Sequence, residues 1–534
     1  MYKKSFATSC FSFLICFSFS SFAQQKIKNT GKHVENYSSE KSRTNLRPNI
    51  IFILSDDHAY QAIGAYGNKL ARTPNIDRIG KEGALFQNMM VTNAICGPSR
   101  ATLLTGKYSH MNGYKTNGKI PFNTSQQMFP KLLQQNGYQT AWIGKLHLET
   151  VPGGFDYVQI PPGQGDYYNP DFINSKGDTV HYEGYLTDLV TTFSLDWLSK
   201  RDQSKPFMMV VGEKATHRNW MPDLQDLGAY DDVEFPIPTT FYDDYKTRVA
   251  AGNQDMNIAK TMKTGHDFKI HADYNDQEYN RFTPPQRKIF EQYYDKITAE
   301  FDAKALKEDE LLRWKFQRYM KDYLSTANSM DRNIGKILDY LDKTGLAKNT
   351  VVIYTSDQGF YTGEHGWFDK RFMYEQSLKT PFLMRYPGVT KPGSKINQLA
   401  VNIDWAPSIL DIAGVKIPAN MQGMSILPIL KQDAKPDNWR SETYYHYYEY
   451  PSPHKVQPHF GTRTSRYKLI RFYGPTDFWE LFDLQKDPDE LTNVFENKNY
   501  KQIVKDMKIK LKRLINQYQD DEALSILSNK KNIE

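Results

Sequence analysis

Four short runs of consecutive apolar residues stop abruptly at polar ones. Asn49 to Leu54 (NIIFIL) ends at Ser55-Asp56-Asp57-His58, Thr140 to Ile143 at Gly144-Lys145, Phe207 to Val211 at Gly212-Glu213, and Val351 to Thr355 at Ser356-Asp357. Runs without alternation suit strands covered on both faces, and polar residues at the ends of such strands are where open parallel α/β sheets place their sites. The pattern predicts an α/β sandwich with a mostly parallel central sheet. Between Phe316 and Leu341 the apolar positions Phe316, Met320, Tyr323, Ala327, Met330, Ile334, Ile337 and Leu341 recur at alternating steps of four and three. That spacing predicts a long amphipathic helix, and Gly345 supplies its stop.

A larger domain spans 47–395. The stretch from about Asp223 to Glu308 within it is charged, Tyr-rich and weakly periodic, and reads as an insertion covering or flanking the site. From 396 to 534 the chain turns to short strand-like pieces, among them Tyr467 to Phe472 and Trp479 to Leu484, followed by a final helix near Ile503 to Tyr518. This predicts a smaller C-terminal α+β domain with an antiparallel sheet.

The N-terminus changes the picture. Lys3 and Lys4, the apolar run Phe6 to Phe22, and Ser21-Phe22-Ala23 before Gln24 are the three parts of a secretory signal peptide, 1–23, cleaved after Ala23. Residues 24–46 then form a polar tether. Lipidation at Cys10 or Cys16 is the other reading, but little apolar sequence precedes Cys10, and Ile15 stands before Cys16 where a small residue is needed. The run falls short of the ~20 apolar residues of a membrane span, so no stable membrane insertion is expected. An exported chain, periplasmic or secreted, follows. Of the three cysteines only Cys96 remains after cleavage, which excludes an intramolecular disulfide and leaves one thiol in an oxidising compartment. The formal charge of +7 becomes +5 without Lys3 and Lys4, and the charges are interspersed, which argues against nucleic acid as a partner.

Cys96-Gly97-Pro98-Ser99-Arg100, followed by Thr105-Gly106, resembles the signature of the formylglycine-dependent sulfatases, of the alkaline-phosphatase-like superfamily. Gly137 to His147 (GYQTAWIGKLH) is similar to the family's second signature, with Leu146 at a position that is usually aromatic. Lys145 and His147 keep their expected spacing and, two residues apart at a strand end, can project to the same side. Asp56, Asp57, Asp357 and Gln358 are hard oxygen ligands at two strand ends, a set that suits Ca²⁺ better than zinc, although Asp-Asp pairs also serve as helix caps. Lys370, in Gly363 to Lys370 (GEHGWFDK), matches the family's sulfate-binding lysine. His217 falls where the family keeps a histidine near the leaving-group oxygen, but without the usual flanking prolines. Trp479 to Val494 is similar to the closing segment of many sulfatases.

The resemblance implies an alkaline-phosphatase-like fold and a nucleophile made by oxidising Cys96 to formylglycine (3-oxoalanine), which needs a formylglycine-generating enzyme as a transient partner. It also implies one Ca²⁺ that touches residue 96. One oxygen of the hydrated aldehyde would attack sulfur while His217 protonates the departing sugar oxygen, and His147 would assist collapse of the sulfated intermediate. Lys145 and Lys370 would surround the sulfuryl charge, with Arg100 holding the hydrate and offsetting the carboxylates. The implied substrate is a sulfated oligo- or polysaccharide, with ulvan or another algal glycan, carrageenan, glycosaminoglycans and mucin glycans all open. Two other classes compete: a phosphonate monoester or phosphodiester hydrolase of the same superfamily, and a non-catalytic glycan binder, which should have lost a ligand or the cysteine. Tyr444, Tyr445, His446, Tyr447, Tyr448, His454, His459 and Arg463 suit either stacking on sugars or packing between domains.

Overall fold

The four apolar runs become neighbouring strands of one sheet in a computed structural model that describes residues 47–528, apart from 119, 277–278, 431–435 and 437. The signal peptide and the tether lie outside the described residues. Thr350–Ser356, Asn49–Ser55, Phe207–Gly212 and Gln139–Gly144 lie side by side and parallel, and Tyr157–Ile160 joins them in parallel. Antiparallel strands extend this centre on both sides, giving ten strands among the described residues. Every residue of Asn49–Ser55 is buried, because helices cover both faces.

Side chains along that strand alternate between two cores. Ile50, Phe52 and Leu54 pack with Leu103, Leu104, Trp405 and Ile409 on one face. Ile51 and Ile53 pack with Val190, Ile334, Leu338 and Leu341 on the other. The long helix runs Glu308–Lys343, and all eight of its periodic positions are buried. Its N-terminal end starts eight residues before Phe316, where Glu308, Asp309 and Glu310 suit the positive end of the helix dipole.

The stretch 223–308 differs from its weakly periodic reading, because Pro284–Lys304 is a 21-residue helix. Only Phe290 and Tyr294 of it are buried, so the apolar period is faint, while Thr283 and Gln286 form a capping box with Pro284 at the first position. This stretch also reaches back to the loop after Phe207–Gly212 and to the long helix. Buried Lys269 donates to the carbonyls of Asn219 and Trp220 at 2.7 and 2.9 Å and pairs with Asp322 of the long helix at 3.2 Å.

After Lys395 the chain first packs Trp405 against Phe52, with ring centroids 5.6 Å apart. It then forms a four-stranded antiparallel sheet in the order Glu442–Tyr447, His459–Thr464, Tyr467–Phe472, Phe478–Asp483, followed by the helix Lys501–Tyr518. Here the sugar-stacking reading gives way to packing. Tyr444, Tyr445, His446, Tyr447 and His459 are buried at 1% exposure or less. Their polar atoms face inward, with His446 Nδ1 2.7 Å from Asp520 and the Tyr445 hydroxyl donating to the Arg371 carbonyl at 2.5 Å. Arg463 is held by Glu375 at 3.0 Å, and His454 sits between the Asp255 carbonyl and Asp369. Among the described residues no helix is long and apolar enough to cross a membrane.

Candidate active site

Two adjacent strands finish level with each other. Ser55 pairs with Ser356, so Asp56, Asp57, Asp357 and Gln358 leave the sheet together. Asp57 turns at once, with φ of 62°, and its N–H donates to Asp357 Oδ1 at 3.3 Å. The turn is held from the long helix, where the Tyr323 hydroxyl donates to the Asp57 carbonyl at 2.7 Å and accepts from Ala59 N–H at 2.8 Å.

Cys96 opens the fully buried helix Cys96–Thr105. Pro98 is tolerated in the first turn, where its missing N–H would have no helical partner, and Gly106 ends the helix in the left-handed region. Residues four apart share a helix face, so Arg100 lies beneath Cys96. Arg100 Nε donates to Asp357 Oδ2 at 3.0 Å, and Nη1 donates to the Lys145 carbonyl at 2.7 Å. Gly97 is required by close approach, because a Cβ there would meet the Tyr114 ring at 2.6 Å and Asn117 Oδ1 at 2.9 Å.

The Cys96 thiol lies 3.1 Å from Asp56 Oδ1. Burial, reinforced by Asp56, pushes its pKa well above the ordinary thiol range, so the unmodified thiol is protonated and a poor nucleophile. Ligand atoms of Asp56, Asp57, Cys96 and Asp357 all fall within 4.8 Å of one another. Burial lifts Asp57 to about 6 and, together with the charge of Asp56, lifts Asp357 to about 8. Carboxylates gathered this closely repel one another unless a cation joins them. Gln358 turns its amide nitrogen to Asp57 Oδ1 at 2.5 Å, and its buried Oε1 has no partner. The donor set fits a hard divalent cation coordinated by oxygen.

Cations line the rest of the site. Lys145 Nζ pairs with Asp56 Oδ2, and Lys370 Nζ donates to Asp57 Oδ2 at 2.6 Å. Burial works against the Lys370 charge more than any single neighbour favours it, but Asp57, Asp369 and the other anionic groups around it together hold the ammonium well above its ordinary range. Lys145, Lys370 and Arg100 match Asp56, Asp57 and Asp357 in number, so an added divalent ion that displaces the proton kept by the raised Asp357 would leave a net positive cluster suited to an anion.

His147 and Lys145 approach the same partner, though not by strand alternation. The strand stops at Gly144 and His147 has φ of 56°, so both side chains instead converge on Gln164. His217 Nδ1–H donates to the Arg218 carbonyl at 2.7 Å, which leaves Nε2 facing Asp57 Oδ2 at 3.8 Å. Burial, then Lys145, holds both histidines well below the usual range, so both are neutral. The His217 side chain is 17% exposed, against 4% or less for Lys145, Lys370 and Asp57, so it stands on the open side. The insertion holds its loop, with Asp267 accepting from Arg218 at 2.6 and 2.7 Å. Two further histidines are engaged elsewhere. His365 is buried against Asp243, and His181 is exposed on the edge strand beside Asp171.

Asn117, Gln164, Asp369, Arg371 and Glu449 complete the surroundings, and none was singled out in the sequence. Asp369 and Arg371 flank Lys370, the one contiguous signal that would have found them, and Arg371 Nη1 pairs with Glu449. Glu449 also accepts from Asn117 N–H at 2.9 Å, and Asn117 accepts from Gly97 N–H at 2.9 Å.

A profile described as Sulfatase matches residues 48–415, and one described as N-sulphoglucosamine sulphohydrolase, C-terminal, matches residues 363–517. The chain is 45% identical over 490 residues to the N-acetylglucosamine-6-O-sulfatase of Bacteroides thetaiotaomicron, covering 89% of this chain and 88% of that one. It is 27% identical to an ulvan-active sulfatase of Formosa agariphila, covering 86% and 79%. A solved structure of a protein in complex with its substrate D-glucosamine-2-N,6-O-disulfate matches with a TM-score of 0.87 at 45% identity, covering 89% and 98%.

Proposed function

Because the chain belongs to the sulfatase family, with its alkaline-phosphatase-like fold, we propose that this sulfuric ester hydrolase removes the 6-O-sulfate of glucosamine or N-acetylglucosamine units in a sulfated carbohydrate. The observation that carries the substrate is the 45% identity along nearly the whole chain to a 6-O-sulfatase of N-acetylglucosamine. The ulvan reading is second, favoured by the more distant ulvan-active relative.

In this reading the chain is exported through the signal peptide 1–23, and a formylglycine-generating enzyme converts Cys96. A hydrated formylglycine at 96 would offer two oxygens on one carbon, one as the nucleophile towards sulfur and one to release the bound sulfate. Asp56, Asp57, Asp357, Gln358 and residue 96 would hold Ca²⁺, which would supply positive charge to the sulfuryl oxygens. Lys145 and Lys370 neutralise those oxygens from two sides. Arg100 holds Asp357 in place and offsets its charge from a fully buried position. His217, neutral in the free site, would take up a proton on Nε2 when the anionic sulfate ester binds and pass it to the departing sugar oxygen, and His147 assists the later release of sulfate.

Sulfate release from a defined panel tests the substrate. Glucosamine-6-sulfate, N-acetylglucosamine-6-sulfate and glucosamine-2-N,6-O-disulfate are expected to lose the 6-sulfate, with kcat/KM well above that for ulvan or carrageenan oligosaccharides and for a phosphonate monoester. Turnover of ulvan oligosaccharides with none of the 6-sulfated glucosamines would replace the reading.

The metal makes a separate prediction with a defined sign. Asp357 and Asp57 have folded values of about 8 and about 6 against 3.8 ordinarily. Carboxyls raised in this way favour the metal-free fold at low pH, and that contribution is lost as pH rises through the folded values. A bound cation removes the repulsion that appears there, and at low pH it must displace protons. Calcium is therefore expected to raise the melting temperature of chelated protein more at pH 8 than at pH 6, and chelation to lower activity at least ~10²-fold. Equal melting temperatures with and without calcium at both pH values would remove the metal from the reading.

A further inference from the structure

Gln164 stands in Pro161-Pro162-Gly163-Gln164-Gly165, after the strand Tyr157–Ile160, and belongs to none of the motifs. Gly163 and Gly165 both have positive φ, 53° and 71°, and a Cβ on Gly165 would come within 2.9 Å of Pro161. The turn is therefore tight, and it presents Gln164 between Lys145 and His147. Lys145 Nζ donates to Gln164 Oε1, and Gln164 Nε2 lies 3.1 Å from His147 Nε2.

The proton positions follow from these contacts. A lysine ammonium has donors and no acceptor, so the amide oxygen must be the atom that faces Lys145. That choice turns the NH₂ group towards His147, and an NH₂ group can only donate. His147 Nε2 must then accept, and a neutral imidazole whose Nε2 accepts carries its proton on Nδ1, which is buried with no partner. His217 carries its proton on the same nitrogen with the opposite bonding, because its Nδ1–H is spent on the Arg218 carbonyl and its Nε2 accepts no hydrogen bond.

We propose that Gln164 is a positioning residue that couples Lys145 to His147, using the lysine charge to orient its amide and the amide to hold His147 as the neutral Nδ1–H tautomer. The two groups are thereby set together before substrate arrives. The inference rests on the roles given to Lys145 and His147 in the proposed reaction, but the tautomer itself can be read without turnover.

The test uses full-length mature protein labelled with ¹⁵N-histidine, with long-range ¹H–¹⁵N correlations at neutral pH and His147 assigned by its absence in His147→Gln. Wild-type protein is expected to show an acceptor-type Nε2 and a protonated Nδ1. Gln164→Glu presents only acceptors, so His147 Nε2 should change to the protonated type. Gln164→Glu and Gln164→Leu should each lower kcat by about 10–100-fold with a smaller change in KM and an unchanged melting temperature. A wild-type His147 protonated at Nε2, or a tautomer that Gln164→Glu leaves as it was, overturns the proposal. A correct tautomer in a protein that releases no sulfate from any substrate would instead count against the proposed reaction and leave the positioning of His147 standing.

Discussion

Cys96→Ala is expected to lose activity by a factor on the order of 10⁶, the scale seen when a nucleophile is removed from a preorganised site. The reasoning begins with the unmodified side chain. Burial, reinforced by Asp56, holds the Cys96 thiol protonated, so the cysteine in its encoded form cannot supply the attacking atom at neutral pH. Activity therefore requires conversion, and the Cys-x-Pro-x-Arg run is where the resemblance places it. Mass spectrometry of the peptide spanning residue 96 should find an aldehyde in active protein and a thiol in protein made without the converting enzyme. Because alanine fits the space that cysteine leaves, the melting temperature should change little, separating chemistry from folding. A fully active preparation in which Cys96 is entirely thiol would end this account.

The second large effect depends on the substrate. His217 Nε2 faces the site from its open side, and its Nδ1–H is held by a backbone carbonyl, so Nε2 is the nitrogen positioned to take up a proton when the anionic ester binds and to pass it to the departing group. A sugar hydroxyl leaves poorly as an alkoxide and needs that proton, whereas nitrophenolate does not. His217→Ala should therefore lose ~10²–10⁴ in kcat on a sulfated sugar and far less on nitrophenyl sulfate. His147→Ala should weaken both substrates alike, since sulfate release follows loss of the alcohol. The neighbouring loop predicts how a variant can mislead. Arg218 is tied to Asp267 and Lys269 to the carbonyls of Asn219 and Trp220, so the loop should survive loss of the imidazole. Equal losses on the two substrates would remove His217 from proton donation, and the burial of His365 against Asp243 leaves it a poor replacement.

Much of this protein could be read along the chain because burial and local spacing are written there. Four apolar runs without alternation belonged to strands covered on both faces, and all four lie together in the sheet centre with their polar ends level. The four-and-three spacing from Phe316 to Leu341 became one face of a helix, and the interval between Cys96 and Arg100 became one turn of another. Groups that meet only because distant loops converge were not legible. Gln164 has no spacing relation to Lys145 or His147, which it joins, and Glu449 reaches Arg371 from the loop after the strand Glu442–Tyr447. The aromatic run Tyr444 to Tyr447 looked equally suited to sugar and to core, because side-chain type alone cannot tell which solvent a strand face meets. The helix Pro284–Lys304 was hidden for a related reason: it buries too little to show a period, and its capping box was the only local mark. Sequence by itself determined which polar residues stand at the strand ends and which strands present them. Only the tertiary structure decided how their protons and charges are paired, since each pairing depends on a partner brought in from elsewhere in the chain.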